Sequence, residues 1–365
     1  MSEEQKDSVL SKATGKPLRP ALIVSEYTVS EYPISVHHLL LGLADESISA
    51  ALVYPPECNI DSVMSPSVEV IRYPVFNLPL LWHQNKKILI EQLEKFKPTV
   101  LHCLCESQAS LTRQLAWQLD LPYVLTINSL QKRRLGFPVP SKLCAKIIVP
   151  TKSIAANVAE VYPEFKERIE QINIGTFVGE TINCFSEAGR LASMVTAYPL
   201  NDASEFENLF AAVKRLVIDG YEFVFLVIGG GRGEKHVRKL LRNLGLLWIV
   251  TIVPQLEPRR SVLSAGDIFI QPQPSNSFNP LLLEAMSGGS AIAACKGGVD
   301  DLIIENKTAV VFDPDDELSI YKSLQQLFDR RELSRQLAKG AQEYLRQNHT
   351  VSKMIADILQ IYREV

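Results

Sequence analysis

Short apolar runs alternate with longer segments of helical spacing along almost the whole chain. In the first half, stretches 21–24, 50–53, 68–71, 100–105, 123–127, 145–149 and 169–174 are strand-sized and rich in Val, Ile and Leu. That composition suits strands covered on both faces. Between them, 35–44, 85–96, 110–119 and 153–161 place apolar residues three and four apart, as in Val36, Leu39, Leu40 and Leu43. Lys97-Pro98 closes the second of these helices. Such alternation predicts right-handed βαβ units and a parallel sheet.

The pattern pauses over 179–189, read as a linker, and then repeats. Strands are predicted at 193–198, 223–228, 248–252, 268–271, 291–294 and 309–312, with helices at 205–219, 235–244, 259–265 and after Pro280. Three more helices follow at 318–328, 331–347 and 351–362. The expectation is an α/β protein of two doubly wound, Rossmann-like domains facing a central cleft. The first would span 18–178, completed by 349–365, and the second 190–345.

A chain of 365 residues suits two domains better than one. A net charge of −3 argues against a basic nucleic-acid binder. Six cysteines, at 58, 103, 105, 144, 184 and 295, lack metal-type spacing, so neither a metal nor a cofactor is expected. Cys103 and Cys105 would share one face of a strand. A reduced, cytoplasmic protein is the simpler reading. Residues 1–16 are polar and read as a frayed end, not a signal peptide, and no apolar run approaches the length of a membrane helix.

Candidate chemistry concentrates in 270–302. A strand ends at Ile270-Gln271, a loop follows through Asn276, Ser277, Phe278 and Asn279, and Pro280 opens a helix that contains Glu284. Ligands of open α/β sheets bind at the carboxyl ends of strands, and a helix N-terminus offers unpaired N–H groups to an anion. Gly229-Gly230-Gly231 and Gly297-Gly298 mark two further turns. The spacing in 229–233 is not that of a dinucleotide fingerprint.

Several of these stretches resemble glycosyltransferase family 4. They are Leu226-Val227-Ile228-Gly229-Gly230-Gly231, Ala265-Gly266-Asp267-Ile268-Phe269-Ile270-Gln271-Pro272, Phe278, Leu282-Leu283-Glu284-Ala285-Met286-Ser287-Gly288-Gly289 and Gly297-Gly298-Val299. Val100-Leu101-His102 and Leu121-Pro122-Tyr123-Val124-Leu125-Thr126 extend the likeness into the first half. The resemblance implies the GT-B fold, with a C-terminal helix crossing back to the first domain. It also implies transfer of a sugar from a nucleotide-sugar with retention of configuration, the donor on the second domain and the acceptor on the first. On that pattern Glu284 would hold the ribose, and Gly229, Gly230, Ser277, Phe278, Asn279, Pro280 and Leu281 would line the donor site.

The chain departs from the pattern in four places. Asn276 stands where the resemblance puts a sugar-binding carboxylate, and Asn128 where it puts a histidine. Tyr32-Pro33-Ile34-Ser35 replaces a glycine loop, and the run 197–204 lacks the cations of a phosphate clamp. Arg232 and Lys296 are candidate replacements for that clamp, with Lys132-Arg133-Arg134 as another. His37, His38 and His102 are expected to be packing or surface residues. Two readings stay open: a divergent glycosyltransferase, or a catalytically silent GT-B module binding a glycan, a nucleotide or a partner glycosyltransferase. Neither calls for strong membrane binding.

Overall fold

The computed structural model describes residues 17–365 apart from 57, 66, 74–81, 133–142, 188 and 254–265. The helix expected at 259–265, the segment 1–16, and Arg133 and Arg134 lie outside the described residues.

The first sheet contains β1 (Pro20–Ile23), β2 (Ala50–Tyr54), β3 (Val68–Arg72), β4 (Val100–Cys103), β5 (Tyr123–Thr126), β6 (Cys144–Val149) and β7 (Ile169–Gln171). Their spatial order is β3-β2-β1-β4-β5-β6-β7, and every pairing is parallel. The second sheet contains β8 (Ala192–Ala197), β9 (Phe223–Ile228), β10 (Val250–Val253), β11 (Ile268–Gln271), β12 (Ala291–Cys295) and β13 (Val310–Phe312). Its order is β10-β9-β8-β11-β12-β13, again parallel throughout. The chain reverses its winding between β1 and β4 in one sheet and between β8 and β11 in the other. Crevices form outside the carboxyl ends of strands at such switch points. Those four strand ends deliver most of the cleft.

Eleven α-helices occur among the described residues: α1 (Glu26–Glu31), α2 (Pro33–Asp45), α3 (Trp82–Phe96), α4 (Ala109–Leu119), α5 (Lys152–Val161), α6 (Glu207–Ile218), α7 (Glu234–Leu244), α8 (Pro280–Ser287), α9 (Glu317–Asp329), α10 (Arg331–Asn348) and α11 (Val351–Glu364). The short α1 escapes sequence periodicity because six residues hold less than two turns. A reciprocal cap makes it: Thr28 N donates to Ser25 Oγ at 3.1 Å and Ser25 N to Thr28 Oγ1 at 3.4 Å. Pro33 then opens α2 at its first turn, where its missing N–H costs nothing.

The crossing helix is present. Met354, Ile355, Ile358 and Tyr362 of α11 pack with Leu22, Leu40, Leu52 and Val124 of the first domain in one buried cluster. Gly42 permits the approach, since a Cβ there would lie 2.5 Å from Ile355 Cδ1. Where α11 begins, Thr176 N donates to His349 O at 2.8 Å, and His349 Nδ1 pairs with Ile174 O at 2.9 Å. His38 packs edge-on against Phe177, and His102 is fully buried between Tyr362 Oη (2.5 Å) and Thr126 Oγ1 (2.8 Å). Both histidines are packing residues, as expected.

One sequence expectation needs correction. The strand at 100–105 stops at Cys103, and Cys105 instead leads into a 3-10 turn over Glu106–Gln108. The two thiols therefore do not project from one strand face; Cys103 Sγ donates to Cys105 O at 3.0 Å. Among the described residues no group of three His, Cys, Asp or Glu side chains could hold a metal, and no helix is long and apolar enough to cross a membrane.

Candidate functional site

A cavity of about 400 Å³ lies between the domains. The first domain supplies Tyr27, Glu31 and Tyr32. The second supplies the end of β8 (Ala197, Tyr198, Pro199), the Gly229-Gly230 turn after β9, and the run from Gln273 to Leu281 after β11. Gly229, Gly230, Ser277, Phe278, Asn279, Pro280 and Leu281, all expected at the donor site, are thus brought together with Asn276.

The glycines do different work. Gly229 has φ +155°, and a Cβ there would run into Tyr198 O, so a side chain is excluded by backbone. A Cβ on Gly231 would meet Leu200 O at 2.5 Å. Gly230 faces open space. Across the site, Gly298 (φ +65°) lets Val299 N donate to Ser275 O at 2.7 Å, which fastens the 274–279 loop to the turn after β12.

The start of α8 differs from expectation. It was to offer free N–H groups to a phosphate. Pro280 has no N–H, and Leu281 N and Leu282 N donate to Asn279 Oδ1 at 3.0 and 3.2 Å. Leu283 N donates to Asn279 O at 3.3 Å. The asparagine cap has consumed the donors that an anion would need.

Charge is placed as follows. No Lys or Arg lines the cavity among the described residues. Lys296 pairs with Glu305 at 3.3 Å, away from the lining. Arg232 is exposed outside the lining and close enough to Asp202 to lower its carboxyl pKa, behind the larger effect of Ser204 hydrogen bonds. Lys132 is exposed. Glu284 is 5% exposed within α8 and outside the lining. Tyr198, at the cavity wall, is pushed up to about 12 by burial and then by Glu205.

The domains are stitched directly beside this cavity. Ser129 and Ser277 form an antiparallel bridge, with Leu130 N donating to Asn276 O at 2.7 Å and Phe278 N to Asn128 O at 2.9 Å. Tyr32 Oη donates to Phe278 O at 2.9 Å. Farther out, the Asp301 carboxylate caps α5 of the other domain, accepting from Lys152 N at 2.9 Å, Ser153 N at 3.3 Å and Ser153 Oγ. Asn128 and Asn276 thus each accept one main-chain bond across the domain boundary, Asn128 opposite Phe278 and Asn276 opposite Leu130.

Sequence reading missed Glu106. It follows β4, and Oε1 accepts from Asn128 N (2.9 Å), Ser129 N (3.2 Å), Ser129 Oγ (3.0 Å) and Gln131 Nε2 (3.4 Å). Burial raises its pKa; the hydrogen bonds oppose that only in part. The available signal was its place: a carboxylate just past the end of a strand at the switch point.

Comparison with known proteins now bears on the site. Residues 198–344 match the family of glycosyl transferases group 1. The fold superposes on Anabaena HepE, solved with UDP-glucose, with a TM-score of 0.78 at 12% identity over 95% of this chain and 100% of that one. The fold is therefore GT-B, and residues 198–344 are similar to glycosyl transferases group 1. Among curated relatives, the chain is 30% identical to the sulfoquinovosyl transferase SQD2 of Arabidopsis thaliana over 120 residues, 32% of this chain and 23% of that protein. It is 22% identical over 333 residues to a D-inositol 3-phosphate glycosyltransferase of Corynebacterium urealyticum, covering 77% and 78% of the two. The match to the first relative thus spans less than a quarter of that protein's length.

Proposed function

We propose that the protein is a retaining glycosyltransferase that takes a nucleotide-sugar into the interdomain cleft. The observation that carries this reading is the cavity of about 400 Å³ at the strand ends of the group 1 domain, framed by the Gly229-Gly230 turn and the loop before α8. That is where an open α/β sheet binds its ligand. Gly230 leaves space for close approach, and Gln271, Gln273 and Asn276 bring amide side chains to the lining that can meet sugar or base. UDP-glucose, the ligand in the HepE structure, is the first donor to test. Calorimetric titration should give saturable binding of UDP and UDP-glucose, with slow release of UDP from the sugar. Absence of binding to any nucleoside diphosphate in a panel would overturn the reading.

One observation favours a second reading, a silent module that binds a glycan, a nucleotide or a partner glycosyltransferase. The described lining holds no cation, and the α8 N–H groups are already used. A departing diphosphate needs its charge neutralised. On this reading uridine or a neutral glycan binds as well as UDP does, and no sugar turnover occurs. The uridine-to-UDP affinity ratio separates the two. For location we propose the cytoplasm, supported by six free cysteines.

A further inference from the structure

A second cavity, of about 230 Å³, adjoins the first on the side of the first domain, and Tyr27, Tyr32 and Ser277 line both. Glu106 lines only this second one. Its four hydrogen bonds all end on Oε1, and all come from residues 128–131. None of those four reaches Oε2; a further contact of the carboxylate is with its own backbone N–H. A carboxylate pinned through one oxygen presents the other in a fixed direction, which is what a positioned acceptor group requires.

We propose that Glu106 receives the hydroxyl group of the sugar acceptor in this second cavity, through Oε2, and so determines which compounds can accept. The proposal rests on the transferase reading above. The class of acceptor follows from the walls. The described lining holds one carboxylate, two tyrosines, three residues with aliphatic hydroxyls, Asn128 and Cys105, and neither Lys nor Arg. An acceptor bearing phosphate or carboxylate would meet a like charge at Glu106, and nothing in the described lining would offset it. A neutral hydroxyl compound, such as a sugar or polyol, can donate to Oε2 and lay its carbon face on a tyrosine ring. The shared wall at Tyr27, Tyr32 and Ser277 puts that hydroxyl next to the donor cavity.

The test uses UDP-glucose as donor with water and glycerol as acceptors, in the full chain. Glu106→Gln keeps size and removes the anionic acceptor; Glu106→Asp keeps the charge and withdraws it. The Gln variant is expected to bind UDP within about twofold of wild type, yet to release UDP at least about tenfold more slowly with either acceptor. The Asp variant should recover part of that loss. Amide exchange at Leu130 and Phe278 checks that the neighbouring bridge survives. A Gln variant with wild-type turnover overturns the proposal. So does parallel loss of UDP binding and of amide protection, which would make Glu106 a brace for residues 128–131 and nothing more. Wild-type protein that neither binds UDP nor turns over UDP-glucose overturns the donor reading first and this proposal with it, a failure visible without any variant.

Discussion

Asn128 in the first domain and Phe278 in the second are joined main chain to main chain, the Phe278 amide donating to the Asn128 carbonyl at 2.9 Å. With the reciprocal bond from Leu130 N to Asn276 O, this is a two-bond antiparallel ladder between domains that share no sheet. Main-chain pairing of this kind depends little on side-chain identity. It holds the cleft at a fixed width wherever those two asparagines stand.

That ladder should be visible in solution. The Leu130 and Phe278 amides are expected to exchange with solvent at least about tenfold more slowly than amides of exposed loops. Leu130→Pro removes one donor and should speed exchange at Phe278. Residue-resolved exchange by mass spectrometry or NMR reads both. Fast exchange of both amides in the wild type would mean that the cleft stands open.

Asp301 tests the outer contact. Asp301→Ala leaves Lys152 N and Ser153 N of α5 without their cap from the other domain. Loss of a helix cap costs about 1 kcal/mol. Denaturant unfolding should show that loss, while Asp301→Asn, which keeps an acceptor oxygen, should cost less.

The two cavity glycines should separate stability from binding. Gly229→Ala places a methyl group against Tyr198 O at a φ that side chains avoid, and should destabilise by about 1–3 kcal/mol. Gly230→Val points into open space beside the cavity and should leave the melting temperature unchanged. Its UDP affinity should nonetheless fall about tenfold, or ~1.4 kcal/mol. Calorimetry and thermal melting of the same two variants decide the point.

Acid should weaken the first domain through His102. Burial pushes its pKa from 6.5 to about 3, so between those values the unfolded chain carries a proton that the folded one lacks. His102 therefore contributes stability above about pH 6.5 that is lost progressively toward pH 3. His349 shifts in the same direction, also through burial, whereas the raised pKa of Glu106 acts oppositely. Urea midpoints should drop between about pH 7 and about pH 5, and His102→Gln should flatten that drop. An unchanged slope in the variant would assign the acid sensitivity elsewhere.

The fold was legible because its strands are buried on both faces and its helices are amphipathic, as Leu22, Leu52 and Leu40 illustrate. The loop before α8 was legible for the same reason: it follows a buried strand and precedes a proline. What stayed hidden depends on contacts far apart in sequence. The cap that spends the α8 donors is the exception, since Asn279 directly before Pro280 is a local signal for a capped helix start. Glu106 looked like any polar residue after a strand until residues 128–131 folded onto it. The expected strand through Cys105 ends at Cys103, and the Cys105 thiol instead meets Ser25 and Thr28, some eighty residues away, in hydrogen bonds that no local pattern announces.

The crossing helix α11 also imposes an order on synthesis. Its apolar face completes the cluster around Leu22, Leu40 and Leu52, yet it leaves the ribosome only after the whole second domain. The second sheet can close from contiguous chain. The first must wait with an uncovered apolar side until residues 351–364 arrive. A nascent chain halted before that point should engage chaperones through its first domain and not its second.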